Sequence, residues 1–543
     1  MFSQDGGSCT QAAEVGYTFN YEYNRKFNTT GVPFNYMYTY NFLNGGDGAN
    51  GTYPEDGFKI IKQNGCPTAC DFDDPAVSPN SPTRFCYWMS GYDKYKNGMN
   101  NSISGIYWMG LCNTVNDLNI IKHWIADHGT GESSGGLLVF AVYTVGMEMG
   151  DINLNSQSNA GKKYIKKLGS TAGPHAMTIV GYDDDCWIKD INGDGQYTND
   201  RDVNGDGIFD IKDFEKGAFK IVNSHGTSFG DQGFAFLPYH LMYEDNPGFV
   251  IDYVYGCKIK DPNEDKIVYK INIEHSCRDK INIKLGHVSI ENPSNPPSFY
   301  TTNLFNSQGG CKRMRGAYSG PIEIGLDYNL ITLSKIIKDA INVVETGDQN
   351  NSHDGIVHSF SLVDYRWNEE FELQCLQTNV PIVNNGNTIL SIDYHLIPHE
   401  APITVTELYR SNRVSRFGPT LTNGADMILY NDVVVDMYNS TITVGEGSTL
   451  GMYPGSKFVA KRGTNKIIIN GDMQIAEGVS LIAEGDATLE VILNNSNETV
   501  NFSGCNFTKC QLTNNSSILN ITNKCKFSNC GLVSSKNTTT IEK

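Results

Sequence analysis

The sequence ends on a repeat. CNFTKCQLTNNSSILNITNK, residues 505–524, is followed by CKFSNCGLVSSKNTTTIEK, residues 525–543. The Cys pairs, Cys505 with Cys510 and Cys525 with Cys530, are offset by twenty residues. A unit that short cannot bury its own apolar face, so it folds by stacking on its neighbours. From about residue 405 onward, strand-like runs are punctuated by Gly or Asn every few residues, as in STITVGEGSTLGMYPGSKFVA. A β-solenoid, β-helix-like, over 401–543 is the simplest reading; an ordinary β-sandwich with fortuitous spacing is the alternative.

The pattern changes upstream. Between 261 and 400 the runs alternate apolar and polar residues, as in KIVYKINIEH and INIKLGHVSI, with Asn, Pro, Gly and Ser turns between them. That spacing predicts an all-β, sandwich-like module. Residues 1–260 are mixed, with helices expected over about 9–27 and 114–128 and buried strands at LLVFAVYTV and AMTIVGY. The expected fold class is therefore multidomain, with an α+β segment followed by two β-rich modules. The length of 543 residues accommodates this, and 39% hydrophobic content supplies a core.

A formal net charge of -18 argues against nucleic acid as a partner, because phosphate contacts need a basic surface. No run approaches the ~18 apolar residues of a membrane span. No leader-like segment follows Met1, and the natural chain is expected to begin earlier. Fourteen cysteines, including Cys66, Cys70 and Cys86 in a polar loop and the cluster of four near the end, predict disulfides and an oxidising compartment. No Cys/His set has clean zinc spacing.

Three short stretches carry chemistry. In SQDGGSCTQAAEVGYTF, residues 3–19, Cys9 follows a Gly-Gly-Ser hinge. Ala12, Val15, Phe19 and Tyr23 then fall at helical spacing, so the thiol would sit at a helix start, where the dipole favours thiolate. Val15, Tyr17, Phe19, Tyr21 and Tyr23 also alternate, so periodicity alone permits a strand, and Cys9 a buried structural role. In GPHAMTIVGYD, His175 precedes an apolar run; in FKIVNSHGTSFGDQGFAFL, Asn223 ends a strand before a Gly-rich loop.

Taken together, Gln4 and Cys9, then His175 with AMTIVGYD, then Asn223 within NSHGTSFGDQGFAFL resemble, in the same order, the elements of a papain-like cysteine peptidase. The resemblance covers residues 1–260 and implies a papain-like α+β domain. It implies Cys9 as nucleophile, His175 as its acid/base partner, Asn223 as the residue orienting the imidazole, and Gln4 with the Cys9 N–H as oxyanion donors. The sequence departs from the family pattern at four places. Gln4 lies one residue closer to the cysteine than is usual, Thr10 replaces the customary aromatic, and His225 and Phe229 stand where two Trp residues are expected.

Between His175 and Asn223 lies an acidic insertion, DINGDGQYTNDRDVNGDGIFDIKDFEKG, residues 190–217, with D-x-N-x-D-G twice, twelve residues apart. Asp202, Asn204, Asp206, the Ile208 carbonyl, Asp210 and Asp213 take positions 1, 3, 5, 7, 9 and 12 of an EF-hand or dockerin-like loop. The first copy offers Asp190, Asn192, Asp194 and the Gln196 carbonyl; its position 12 is Arg201, so Asp200 or Asp202 is expected to close it. Ca2+ is the expected ion, stabilising the insertion.

The expected function is thus a secreted or cell-surface cysteine endopeptidase, calcium-stabilised, acting on protein or peptide substrates. A surface or matrix ligand is expected for the C-terminal modules. The alternative is a catalytically inactive papain-like adhesion or binding protein; an acyl-transferring enzyme on the same fold is a further one.

Overall fold

The computed structural model describes residues 2–72, 82–262, 267–289, 295–327, 336–364, 371–393, 400–403, 407–409, 413–415, 419–422, 424–522, 524–534 and 539–541. Cys9 opens an unbroken helical rod over 9–27, in which Ala12–Phe19 is wound as a π-helix. Val15 and Phe19 on this rod are wholly buried. Every residue of Ala12–Phe19 except Tyr17 is buried, so tertiary packing rather than either periodicity accompanies the helix. The second expected helix is Val115–Asp127; Thr114 accepts from the Asp117 N–H in a capping box that satisfies two orphan donors at its start.

The rod packs on an eight-stranded sheet among the described residues. Its centre runs Leu138–Tyr143, Pro174–Trp187, Lys216–Val222 and Phe234–Pro238, joined antiparallel. Leu138–Tyr143 and the first half of Pro174–Trp187 are largely apolar on both faces, and both faces are covered there. The rod lies on one side, and Leu118, Ile121 and Trp124 of the capped helix share a buried cluster with Leu138, Phe140 and Ile221 on the other.

Two antiparallel sheets follow, one built on Ile281–Ser289 and Ile336–Glu345, the other on Ile267–His275 and Gly355–Asp364. Their inward residues, Ile283, Leu285, Ile341 and Val343 against Ile271, Ile273 and Phe360, belong to the same buried cluster as Val15, Phe42 and Trp88 of the first segment. At the seam Arg278, 1% exposed, lies 3.8 Å over the Trp88 ring and donates to the Gly309 carbonyl at 2.7 and 3.0 Å.

From Glu400 the chain winds as a parallel β-solenoid, with one ladder of seven strands, one of six, and a third face split into ladders of four and three. One ladder runs Ile442, Ile467, Val491, Leu512, Leu532, with steps of 25, 24, 21 and 20 residues. The terminal repeat of twenty is therefore the tapered end of a longer, less regular coil.

The disulfide expectation needs correcting. Among the described residues the bridge is Cys277–Cys311, and Cys66, Cys70, Cys86, Cys505, Cys510, Cys525 and Cys530 are free thiols. Cys66 is sealed in the core, and burial pushes its thiol above the usual range. Cys505 and Cys525 stack on successive turns, placed there by the ladder rather than by a bridge.

Candidate active site

The hinge before Cys9 is glycine for steric reasons. A Cβ on Gly6 would stand 1.9 Å from the Gly48 carbonyl oxygen, and one on Gly7 would stand 2.4 Å from that of Asn50. Gly6 also has φ +58°, a conformation L side chains disfavour. The segment 48–50 is pinned against the hinge by the Gly7 N–H to Gly48 O bond, 2.8 Å, and by Tyr40 Oη, which donates to Gly48 O and Asn50 O. Ser8 donates to Asp5 O at 2.7 Å, and Cys9 emerges half-buried at the first position of the rod.

His175 is the second residue of the strand Pro174–Trp187, against which the start of the rod packs. Asn223 follows directly on the neighbouring strand Lys216–Val222, whose register pairs Val222 with Thr178. That register brings His175 Nε2 to 2.9 Å from Asn223 Oδ1. The same oxygen accepts the His225 N–H at 3.2 Å, so two donors fix the orientation of the amide. Nε2 therefore carries the proton and donates it to Asn223, leaving Nδ1 as the ring nitrogen that can exchange a proton. Tyr17 Oη, from the rod, donates to the Asn223 carbonyl and ties the helix to this corner.

His225, where the sequence departs from the family, stands edge-on to His175 with ring centroids 4.8 Å apart. Burial pulls His175 below its ordinary value, and the hydrogen bond to Asn223 partly restores it. Partial desolvation, and then the charge of His175, pull His225 down as well.

Gln4 reaches the same corner. Its N–H donates to Ser224 O at 2.7 Å, its side-chain oxygen accepts from Ser224 Oγ, and its Nε2 donates to Gly6 O at 3.0 Å. One N–H of the carboxamide is thus taken by the hinge and one is left for another acceptor.

Two concavities open here. One of about 390 Å³ is lined by His175, Asn223, His225, Ser228 and Phe229, with Thr144 and Met147 opposite. The other, about 870 Å³, runs from Gly6 along Gly46, Asp47 and Gly48 to Phe85, and its far wall is Lys312, Gly316 and Ala317 of the second module. Nothing in the sequence signals that wall, because it is brought in from three hundred residues downstream.

The acidic insertion lies at the other end of the hairpin. Twelve residue steps along the strand separate His175 from Trp187, a distance of roughly 40 Å at ~3.3 Å per residue. In the first loop Asp190 accepts from the N–H groups of Gly193, Asp194 and Gly195, and Asn192 from that of Asp194. The second loop repeats this with Asp202 accepting from Gly205 and Gly207, and Asn204 from Asp206. Asp194 and Asp206 accept from Gln196 and Ile208.

Asp210 is paired with Lys212 at 3.0 Å and Asp200 with Arg201 at 3.7 Å. Asp213, wholly buried, spends its oxygens on the N–H groups of Val203, Asn204 and Asp210. Glu215, 1% exposed, was not anticipated from the sequence. Its carboxylate accepts from Ile191 N and Thr198 N, so it braces the first loop as Asp213 braces the second.

Buried Glu14 was also missed. It accepts from Tyr255 Oη, the Glu55 N–H and Gln11, and burial pushes it up to about 8.

No family model matches the sequence, and no curated protein matches it. Solved structures do. Xylellain, a cysteine protease from Xylella fastidiosa, is 18% identical over 47% of this chain and 81% of its own, at a TM-score of 0.29. Bromelain from Ananas comosus in complex with the E64 inhibitor is 16% identical over 48% of this chain and 94% of its own, at 0.27. The cysteine protease and lectin-like domains of Cwp84, a surface layer associated protein of Clostridium difficile, are 12% identical over 73% of this chain and 81% of that one, at 0.31. These three solved structures are of cysteine proteases.

Proposed function

We propose that the chain is a secreted or cell-surface, papain-like cysteine endopeptidase. The observation that carries the reading is the His175 Nε2 to Asn223 Oδ1 bond of 2.9 Å, made at the strand ends on which the Cys9 helix packs. In this reading His175 takes the proton of Cys9 as the sulfur attacks the peptide carbonyl. The Cys9 N–H and the remaining N–H of Gln4 receive the oxyanion. His175 gives its proton to the leaving amine, and water then cleaves the acyl-enzyme with His175 as base.

The insertion is proposed to bind Ca2+. The fit rests on its donors: carboxylate, amide and carbonyl oxygens, exposed on two loops curled by their own N–H groups, suit a hard cation. Asp190, Asn192, Asp194 and the Gln196 carbonyl would hold one ion. Asp202, Asn204, Asp206 and the Ile208 carbonyl would hold the other. At that distance from Cys9, the ion would stabilise the fold and take no part in the reaction.

The test is incubation with an E-64-type epoxide in reductant and Ca2+, mapping of the labelled residue, and peptide cleavage with a Cys9→Ala control. Labelling of Cys9 with cleavage abolished by the substitution is expected. A folded chain that is neither labelled nor active is the adhesion protein instead.

A further inference from the structure

The larger cleft has an unusual wall. Its near side is the strip Gly46–Gly48 beside the hinge of Cys9, and its far side is the segment 311–317, CKRMRGA, from the second module. The two are in close contact: a Cβ on Gly46 would stand 2.7 Å from Gly309 O and 3.3 Å from the Lys312 side chain, and one on Gly310 would stand 2.0 Å from Gly45 O. The segment is held rigidly, since Arg278 donates its N–H to Lys312 O at 2.8 Å and its guanidinium to Gly309 O. The Cys277–Cys311 bridge anchors its start.

Within a chain of formal net charge -18, this segment places Lys312, Arg313 and Arg315 in four positions. Among the described residues no carboxylate pairs with any of them, and the Nε of half-buried Arg315 has no hydrogen-bond partner. Of the nearby anions, Asp47 accepts the Ala49 N–H within its own loop, and Asp5 is engaged by Arg84 at 3.1 Å. The neutral Ala49 N–H leaves Asp47 its charge, so Lys312, Arg313 and Arg315 face one unpaired carboxylate among the described residues and this end of the cleft is net positive.

In the reaction proposed above, the leaving amine must lie on the His175 side, because His175 protonates it. The acyl part of the substrate then extends from Cys9 past Gly6 and into the larger cleft. We propose that Lys312 forms an anion-binding subsite on this acyl side, so that the second module selects substrates with Asp or Glu a few residues N-terminal to the scissile bond. This inference rests on the peptidase reading and adds a substrate class to it.

The test uses the full chain and peptide pairs differing only by Glu or Gln at the second to fourth positions N-terminal to the cleaved bond. The kcat/KM ratio, Glu over Gln, is expected to be roughly three- to fivefold at low salt, the scale of a partly exposed ion pair, and to shrink in molar salt. It should fall to one in Lys312→Gln, invert in Lys312→Glu and survive in Lys312→Arg. A ratio of one in the unaltered chain, or one that Lys312→Glu leaves unchanged, overturns the subsite while the peptidase stands. If no peptide is cleaved, equilibrium binding of the same pairs to Cys9→Ala decides. Tighter binding of the Glu peptide, lost in Lys312→Glu, supports the subsite and sinks only the peptidase reading; equal binding overturns the subsite.

Discussion

In the proposed mechanism Asn223 acts through the His175 imidazole, so its loss should be felt in turnover more than in binding. An orienting hydrogen bond of about 1.5–3 kcal/mol corresponds to roughly 10- to 100-fold in kcat. Asn223→Ala is expected to lower kcat by that factor with KM little changed, read from steady-state cleavage of one fluorogenic peptide. Equal kcat would remove the positioning role. Glu14 gives a different residue-scale prediction, in stability. The unfolded chain ionises this carboxyl near its ordinary 4.5, while burial keeps it protonated in the fold up to about 8. The sign follows directly. Its contribution is full below 4.5, declines as pH rises through the window, and is gone above about 8. Glu14→Gln should flatten the fall in urea midpoint between those limits; a slope identical to the unaltered chain would rule Glu14 out as its source.

Elements, rather than single residues, govern the insertion. Its two loops hang from the far ends of the strands that carry His175 and precede Asn223, so any ion acts on the hairpin and not on the thiol. Ca2+ held at a hundredfold excess over its dissociation constant would add about 2.7 kcal/mol, or roughly 3 °C in the midpoint of a cooperative unit of about 390 residues. Chelation should lower the calorimetric midpoint by that amount, with Asp202→Ala abolishing the response; a midpoint indifferent to chelator would leave these loops as solvated turns. Much here was legible in sequence because the signals are local: the D-x-N-x-D-G spacing, the Gly-Gly-Ser-Cys hinge, the His and Asn at strand ends. Glu215 and Lys312 were not, because each acquires its meaning from a segment that only the fold brings near. The rod showed the limit from the other side. Val15 and Phe19 fit two periodicities, and the helix is selected by packing that buries all of Ala12–Phe19 but Tyr17.

For the whole molecule the divisions of the core matter more than the divisions of the sequence. Phe42, Trp88 and Tyr95 of the first segment pack on Phe305 of the second, with ring centroids 5.3–6.0 Å apart, and one buried cluster runs through both. The solenoid keeps a cluster of its own, from Leu421 to Ile521. Two cooperative units are therefore expected where the sequence pattern changes twice. A chain cut after residue 262 would expose Trp88 and Phe42 and strip Arg278 from its ring, so it should aggregate or bind hydrophobic dye. A chain cut after residue 393 keeps that core whole and should stay soluble and, in the peptidase reading, cleave peptides as the full chain does. Sedimentation and dye binding of the two truncations read the outcome. A soluble, active 1–262 fragment would show that the second module is dispensable to the fold, and would leave its basic wall to act on specificity alone.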